Sequence, residues 1–324
     1  MDVYDGRGNS RQLGEQIGGG GQGNVYLVES EPNKVVKIFH PDKLKERGGE
    51  FREKIELQKG MTELAEHPHI AWPRILVFDQ NHNPIGYAMK RVQGVPLTKL
   101  AHAKLYERFF PDLDRIKIVE MLLRLLDVVA ALHKNQVYIG DINLENIICN
   151  PQTFQPYLID ADSYQVKKDN KVYRCPVGRP EMTPIEHHQK DFQHITRTVE
   201  SDLFSLAILM FQCLMIGRHP YDNIGGGNPV ENLRNASFPY GKGGARPGYE
   251  GAIPKGDWYN IWSHLTYEVK GLFIQTLKDG VKQPLQRASI ADWEKSLESY
   301  FHAMQKGYNT KEMKPKDPKQ SQNS

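Results

Sequence analysis

The sequence predicts an α+β protein of two lobes, a small antiparallel β lobe with one main helix over residues 1–93 and a larger, mainly helical lobe over residues 94–305. Two observations lead to this prediction. Short runs of β-branched and aromatic residues, separated by turn-forming residues, dominate the beginning of the chain. After Gly94, apolar residues recur at helical spacing and strand signals become sparse.

The β-rich lobe begins with three β-like runs in residues 12–38, which predict an antiparallel ribbon because glycines and the turn residues at 31–33 separate them. Residues 50–65 then carry apolar side chains at helical spacing, with Phe51 and Ile55 on one stripe, and predict a helix. Two further apolar runs, residues 74–79 and 85–92, predict two more strands.

The helical lobe contains two strongly patterned segments. Residues 114–133 carry dense apolar positions at helical spacing, and residues 201–216 are apolar almost all round, as a buried helix is. Residues 222–256 are rich in glycine and proline and predict an extended insertion with little core of its own. Residues 306–324 are polar and rich in lysine, which predicts a disordered tail or a linker.

The bulk composition excludes several classes of protein. With 39% hydrophobic and 25% charged residues, the chain is typical of soluble globular proteins. A net charge of +3, with basic residues interleaved with acids, gives no indication of direct nucleic-acid binding. The three widely spaced cysteines indicate neither a disulfide framework nor a zinc site and favour the cytoplasm. No apolar run approaches the roughly 20 residues of a membrane span, so we expect no membrane association.

A glycine-rich run at residues 17–25 is the first of two informative motifs. Gly18, Gly20, Gly23 and Val25 fit the pattern GxGxxGxV, in which missing side chains let the backbone close over phosphate groups. Taken by itself, the pattern is equally typical of an ordinary glycine-rich turn. Lys37 ends the next predicted strand, where a lysine is normally a solvated surface charge.

The second motif is GDINLENII at residues 140–148. It places Asp141 and Asn146 five residues apart in a tight loop, with a strand beginning directly after them. A carboxylate and an amide at this spacing turn inward together, although an Asx-type turn before a strand gives the same pattern. Asp160 ends the following strand, LID, and supplies a second acid.

Together these motifs resemble the eukaryotic-type (Hanks-type) protein kinases over about residues 14–300. The phrases AWPRILVFD, GYAMKRVQG and LIDADS resemble bacterial kinases found beside, or fused to, helix-hairpin-helix modules. The resemblance implies ATP-dependent transfer of the γ-phosphoryl group to Ser/Thr hydroxyls of protein substrates, autophosphorylation, and Mg²⁺ (or Mn²⁺) as metal cofactor. It also leaves room for a DNA-associated partner or fused module.

The same resemblance assigns roles to the lysine and the acids. Lys37 would grip the α- and β-phosphates and be held by a helix glutamate, for which we choose Glu56 because of its distance from HPHI. Glu53, three residues earlier, is the alternative. Asp141 takes the position that accepts or orients the proton of the attacking hydroxyl, and a metal site is implied at two further residues, Asn146 and Asp160.

The resemblance also implies a nucleotide pocket. Met89 falls at the gatekeeper position, although a Met in an apolar strand is more often a core residue. Lys90 to Val92 would form the hinge whose backbone binds adenine, and Val25 would cover the purine. The full set of implied nucleotide-binding residues is Gly18, Gly20, Gly23, Val25, Val35, Lys37, Met89, Lys90, Val92 and Ile148.

Three departures from the family pattern stand out. Ile139 and Gly140 replace the usual His and Arg, so control through a phosphorylated activation loop is not expected. Asn143 replaces a lysine expected near the γ-phosphate. Asp162 replaces the glycine of DFG, which makes it either an additional metal ligand or, as we favour, the cap of the following turn.

These departures keep two alternative functions open. Asn143 and Asp162 suit a nucleotide-binding pseudokinase that signals or scaffolds through its conformation. The pair Gly140 and Asp141 also resembles the HGD loop of small-molecule phosphotransferases. Those enzymes lack a set of scaffold residues that this chain carries. That set is an acid, Asp202, expected to tie down the catalytic loop, and a buried pair between Glu186 and Arg287.

Overall fold

A six-stranded antiparallel barrel forms the first lobe of the computed structural model, which describes residues 1–241, 252–254 and 256–316. The strands neighbour one another in the order β1-β2-β3-β4-β6-β5, and β1 closes the barrel against β5 through the pair Tyr4 and Phe78. The predicted strands are confirmed, and β1 was not predicted. The strands are β1 Asp2–Tyr4, β2 Ser10–Gly19, β3 Gly23–Val28, β4 Lys34–Phe39, β5 Ile75–Phe78 and β6 Pro84–Lys90.

Three helices connect β4 to β5: α1 (Pro41–Arg47), α2 (Glu50–Gly60) and α3 (Thr62–Ala65). The single helix predicted over residues 50–65 is therefore interrupted. Met61 leaves the helical region with φ −83° and ψ 73°, directly after the poor helix former Gly60. The predicted apolar stripe of α2 is buried, and Phe51 packs edge-on against Phe39 with ring centroids 4.8 Å apart.

The second lobe is mainly helical, and its first strand pairs away from the barrel. The predicted boundary at residue 94 falls between β6 and β7, which pairs with β8 and not with the barrel. The elements are β7 Val95–Pro96, α4 Leu105–Phe109, α5 Arg115–Lys134, β8 Ile147–Cys149, β9 Pro156–Leu158, β10 Val166–Lys168, β11 Lys171–Tyr173, α6 Val199–Leu214, α7 Pro229–Arg234, α8 Asp257–Ser263, α9 Tyr267–Leu277 and α10 Ile290–Gln305.

Helices α5 and α6 form the centre of the helical lobe, and both were predicted. The carboxylate of Asp114 caps α5 by accepting from the backbone N–H of Lys117 at 2.9 Å. Helix α6 is buried around nearly its whole circumference, as its apolar composition predicts. Among the described residues, no helix combines the length and apolarity needed to cross a bilayer.

The glycine- and proline-rich insertion differs from its prediction. Where it is described, it contains α7 and adds Phe238 and Tyr240 to the core of the helical lobe. Tyr240 lies 4.9 Å from Phe211 and 4.9 Å from Trp262, measured between ring centroids. The expectation of little core is wrong for this part, because a few buried aromatic side chains outweigh a composition rich in turn formers. Residues 242–251 and 255 of the insertion lie outside the described residues.

The predicted disordered tail also differs from the structure in its first part. Met313 is buried against the helical lobe, and the carbonyl of Lys311 accepts from the backbone N–H of Arg115 at 3.0 Å. Pro315 is buried as well, and Lys314 pairs with Glu107 at 3.7 Å. These contacts hold residues that are otherwise polar. Residues 317–324 of the predicted tail lie outside the described residues.

Candidate active site

The glycine-rich turn joins β2 to β3 at the edge of the cleft between the lobes. Gly23 is required by space, since a Cβ atom there would lie 2.2 Å from the carbonyl oxygen of Ile38 on the neighbouring strand. Gly20 faces open space, and its N–H donates to the carbonyl of Gly23 at 3.0 Å. The turn thus leaves room beside its backbone, as phosphate binding by N–H groups requires.

Lys37 lies inside the cleft and not on the surface. It occupies β4 opposite Tyr87 of β6, and it is only 3% exposed. Its Nζ donates to Asp160 Oδ1 at 2.5 Å and to Asp162 Oδ1 at 2.8 Å. The structure therefore brings together two predicted site residues, Lys37 and Asp160, that are 123 positions apart.

Helix α2 does not supply the glutamate that we expect to hold Lys37. Glu56 pairs with Lys59 at 2.7 Å and is about half exposed. Glu53, the alternative, turns outward and accepts from Lys171 at 2.5 Å and from Tyr173 at 3.0 Å. Both choices for the lysine partner are wrong in this structure.

The face of α2 that points inward carries other polar residues. Lys54 is buried, and its ammonium donates to the backbone carbonyl of Arg174 at 3.4 Å. Gln58 is fully buried and donates to the carbonyl of Ala161 at 2.6 Å. The phase of the helix is set by packing of Phe51 and Ile55, and this packing turns both glutamates toward solvent.

Asp162 is the residue whose surroundings the sequence did not predict. It has no exposed surface and accepts hydrogen bonds from Lys37, from Arg47 Nη1 at 3.1 Å and from Tyr87 Oη at 2.7 Å. The favoured interpretation, a cap of the following turn, is wrong, because Asp162 lies inside the turn Ala161–Ser163 and both of its oxygens accept from side chains of the first lobe. One sequence signal could have indicated this: Asp162 is a second acid, two residues after Asp160, among apolar and small residues, and a buried acid needs a partner.

The acids Asp160 and Asp162 and the cations Lys37 and Arg47 stabilise one another in their charged forms. Burial opposes the charge of Lys37, but the carboxylates of Asp162 and Asp160 outweigh it and raise the pKa of the lysine. In the same way, Lys37 and Arg47 overcome the burial of Asp162 and hold its pKa well below the usual range. For Lys54 the charge of Asp162 compensates too little, so burial, together with the charge of Arg47, lowers the pKa of this lysine to about 8.

The loop at residues 140–148 folds into the arrangement that its motif predicts. Asp141 Oδ1 accepts from Asn143 Nδ2 at 3.0 Å, and Asp141 Oδ2 accepts from Asn146 Nδ2 at 3.0 Å. Burial raises the pKa of Asp141, although these amides and the charge of Arg179 oppose the rise. The carboxylate is thereby fixed in orientation by two neutral donors.

Asp202 anchors this loop from below, as the sequence predicts. Its carboxylate accepts the backbone N–H groups of Ile139 at 2.8 Å and of Gly140 at 2.9 Å. Gly140 has a positive φ of 73°, and a Cβ atom there would lie 2.8 Å from Cys175 Cβ, so glycine is required. The loop therefore keeps its shape without the histidine and arginine that usually stand at these positions.

Comparison with known families agrees with this geometry. The family model described as "Protein kinase domain" matches residues 11–295, which is most of the chain. The chain belongs to the protein kinase family. The two-lobed α+β fold described above is the fold of that family.

Three curated relatives are similar to this kinase. Protein kinase YegI of Escherichia coli K12 is 26% identical over 76% of this chain and 39% of its own length. Protein kinase YegI of E. coli O157:H7 is 25% identical over 76% of this chain and 38% of its own length. A probable serine/threonine-protein kinase, FPV212 of fowlpox virus, is 24% identical over 75% of this chain and 86% of its own length. The chain thus spans about two-fifths of the YegI proteins.

Four of the residues expected to surround the adenine of a nucleotide belong to one apolar cluster of the kinase. Met89 and Val35 are buried and face each other as paired positions of β6 and β4. Val25 and Val92 are partly buried against the same cluster, which Ile159 also joins. Ile148 lies on β8, and Lys90 extends its ammonium to the carbonyl of Pro68 at 3.3 Å.

The side chains of Asp160 and Asn146 suit a divalent metal ion that is also bound by a triphosphate. Asp160 has a left-handed backbone, with φ 63°, and its side chain is 35% exposed toward the cleft. The amide nitrogen of Asn146 donates to Asp141, and the amide oxygen is of the hard type that Mg²⁺ prefers. Within the described residues, no cluster of three His, Cys, Asp or Glu forms a self-sufficient metal site. One carboxylate, one amide and phosphate oxygens are what Mg²⁺ in such sites uses.

The remaining scaffold pair of the kinase is formed as predicted, although only Arg287 is buried and the side chain of Glu186 is 32% exposed. Arg287 donates to Glu186 through both terminal nitrogens, at 2.7 and 2.9 Å. Its guanidinium also reaches the carbonyls of Gly280 and Glu200. The pair ties the activation segment to the end of the helical lobe, away from the reacting groups.

Proposed function

We propose that the chain is an ATP- and Mg²⁺-dependent protein kinase that transfers the γ-phosphoryl group to Ser/Thr hydroxyls and phosphorylates itself. The observation that carries the proposal is the contact between Lys37 and Asp160 at 2.5 Å in the cleft. A phosphate-binding lysine and a metal-binding acid must meet in one place for a triphosphate to bind both.

The proposed roles of the site residues are of two kinds: some position the reacting groups, and others compensate the charge of the phosphates. Lys37 would bind the α- and β-phosphates, and the open glycine turn would cover them. Asp141, held by two amides, would orient the attacking hydroxyl and accept its proton. Asp160 and Asn146 would hold Mg²⁺, which compensates the charge on the phosphates. A turnover of about 1 to 100 per second on a good substrate is typical of such sites.

The proposed preference for Ser/Thr rests on one relative. The fowlpox protein is named a probable serine/threonine-protein kinase, at 24% identity. Phosphoamino-acid analysis of the labelled product tests this part separately from activity. Phosphotyrosine as the main product would contradict it.

The central test is transfer of label from γ-labelled ATP with Mg²⁺ to the chain itself and to proteins of a host lysate. Asp141→Asn should abolish labelling and leave ATP affinity nearly unchanged, because the amide keeps the size of the side chain but accepts no proton. Asp127→Asn, at an exposed position of α5, is the matched control and should label like the wild type. Equal labelling by Asp141→Asn would refute the assignment.

A second candidate, a nucleotide-binding pseudokinase, is favoured by one observation. Asn143 is buried, and its amide donates to Asp141. It therefore offers the γ-phosphate no positive charge in place of the lysine expected at this position. A thermal shift with ATP and Mg²⁺, without labelling of any protein, would support this candidate. Labelling of an aminoglycoside or choline would instead favour a small-molecule phosphotransferase.

The proposed partners are protein substrates. Association with a helix-hairpin-helix module, or with DNA through such a module, stays a prediction from the sequence phrases quoted above. Affinity purification of the chain from a host lysate tests it, and recovery without such a module or DNA would contradict it.

A further inference from the structure

The lysine of the cleft contacts two carboxylates that differ in how firmly they are held. Asp160 has one third of its side chain exposed toward the cleft, where a metal-bound triphosphate would compete for it. Asp162 has no exposed surface and three donors, Lys37, Arg47 and Tyr87. A carboxylate buried among three donors keeps its place when the cleft fills.

Helix α2 offers no carboxylate to replace it. Its three glutamates, Glu50, Glu53 and Glu56, are exposed and pair with Lys171 or Lys59. The inner face of the helix presents a cation, Lys54. A buried lysine on the helix would repel Lys37 unless an acid stood close to both. Asp162 contributes to the electrostatic environment of Lys54 as well as that of Lys37.

We propose that Asp162 is the positioning residue that fixes Lys37 for the nucleotide phosphates, in the role that a helix glutamate has in other kinases. The inference rests on the proposed function and deepens it. Lysine and metal-binding acid are then organised by one short turn, Asp160 to Ser163, and not by two separate elements.

Arg47 connects Asp162 to the glycine-rich turn. Arg47, at the end of α1, contacts Asp162 with one nitrogen and Gln22 of the glycine turn with the other, at 3.1 and 3.0 Å. Lys37 is therefore paired through the turn Asp160 to Ser163, and Arg47 of α1 and Gln58 of α2 hold this turn from two sides. The active arrangement depends on the segment after Asp160, on α1 and on α2.

The test compares Asp162→Asn with Glu53→Gln and Glu56→Gln. Asn keeps the size of the side chain and removes the charge, so we expect at least a tenfold rise in the ATP Kd by calorimetry and a fall of about 100-fold in kcat/KM, mainly through KM for ATP. Both glutamine variants should stay within twofold of the wild type. The inference is overturned if Asp162→Asn binds and reacts like the wild type, or if Glu56→Gln loses as much.

A charge exchange gives a second comparison, in which both proteins carry Asp162→Asn and differ only at residue 54. Lys54→Glu added to Asp162→Asn returns a carboxylate from the helix side, whereas Lys54→Gln only removes the buried cation. We expect the Glu version to bind ATP at least fivefold tighter than the Gln version, and equal affinity would contradict the inference.

These outcomes are separable from failure of the proposed function. If the wild type transfers no phosphate, the proposed function fails, and the ATP affinities alone still decide the role of Asp162. If the wild type transfers phosphate and Asp162→Asn does so equally well, only the role of Asp162 fails. A merely structural role of Asp162 would lower the melting temperature and kcat and leave KM for ATP unchanged, which contradicts the inference.

Discussion

Two buried carboxylates, Asp162 in the cleft and Asp202 under the catalytic loop, hold the two halves of the site with opposite kinds of partner. Asp162 is neutralised by the cations Lys37 and Arg47. Asp202 accepts two backbone N–H groups of the catalytic loop and a contact from His133. Asp162 therefore fixes the positions of two cationic side chains, whereas Asp202 fixes the backbone conformation of the catalytic loop. Changes in the cleft should therefore affect nucleotide binding, and changes in the scaffold should affect stability.

The largest stability effect should come from the scaffold. Glu186→Ala leaves the buried guanidinium of Arg287 without its carboxylate, which is about one-third exposed, and the loss should reach up to about 3 to 5 kcal/mol. Urea unfolding measures the loss, and Glu298→Ala, on the exposed face of α10, is the control. A loss below about 1 kcal/mol would mean that the carbonyls around Arg287 suffice.

Lys54 should give the next largest effect, with a distinctive pH dependence. Its pKa is about 8 in the folded protein against an ordinary 10.5, so below pH 8 both states are protonated and burial of the charge costs up to about 3 kcal/mol. Between pH 8 and 10.5 the folded state loses its proton first, and stability rises. Lys54→Met should therefore be stabilising at pH 7, with most of the gain absent at pH 10.

Unfolding of both proteins at the two pH values checks this, because other titrating lysines cancel in the difference. Lys295→Met, on the exposed side of α10, is the matched control. A stability difference between wild type and Lys54→Met that does not change with pH would show that Lys54 is solvated.

Asp202→Asn should have an intermediate effect. The amide offers one acceptor oxygen, so one of the two N–H groups of Ile139 and Gly140 loses its partner, at a cost of about 2 kcal/mol. Urea unfolding measures it, together with ATP affinity, which should stay within a few fold of the wild type. A large loss of ATP affinity with unchanged stability would show that Asp202 acts on nucleotide binding and not on the scaffold.

The smallest effect should come from a local cap. Asp114→Ala removes the side chain that accepts from the N–H of Lys117 at the start of α5, which costs about 1 kcal/mol. Asp114→Asn should retain most of the stability, because the amide oxygen still accepts. Thermal unfolding distinguishes the two variants, and equal loss would show that the charge matters more than the hydrogen bond.

The sequence by itself determined the parts of this kinase whose geometry is local. The spacing of Asp141 and Asn146 within one tight loop, and the apolar periodicity of α5 and α6, specify their arrangement over a few residues. Motif order also indicated Asp202 and the pair of Glu186 and Arg287. Such features follow from short-range sterics and from a family pattern dense enough to fix them.

Only the tertiary structure decided which groups face the lysine. The side chains of a helix rotate by about 100° per residue, so packing of the apolar stripe of α2 sets whether Glu56 or Lys54 points inward. The partners of Asp162 come from β4, β6 and α1, far apart in the chain. Burial of a charge is settled by the whole surrounding core, and no short stretch of sequence contains that information.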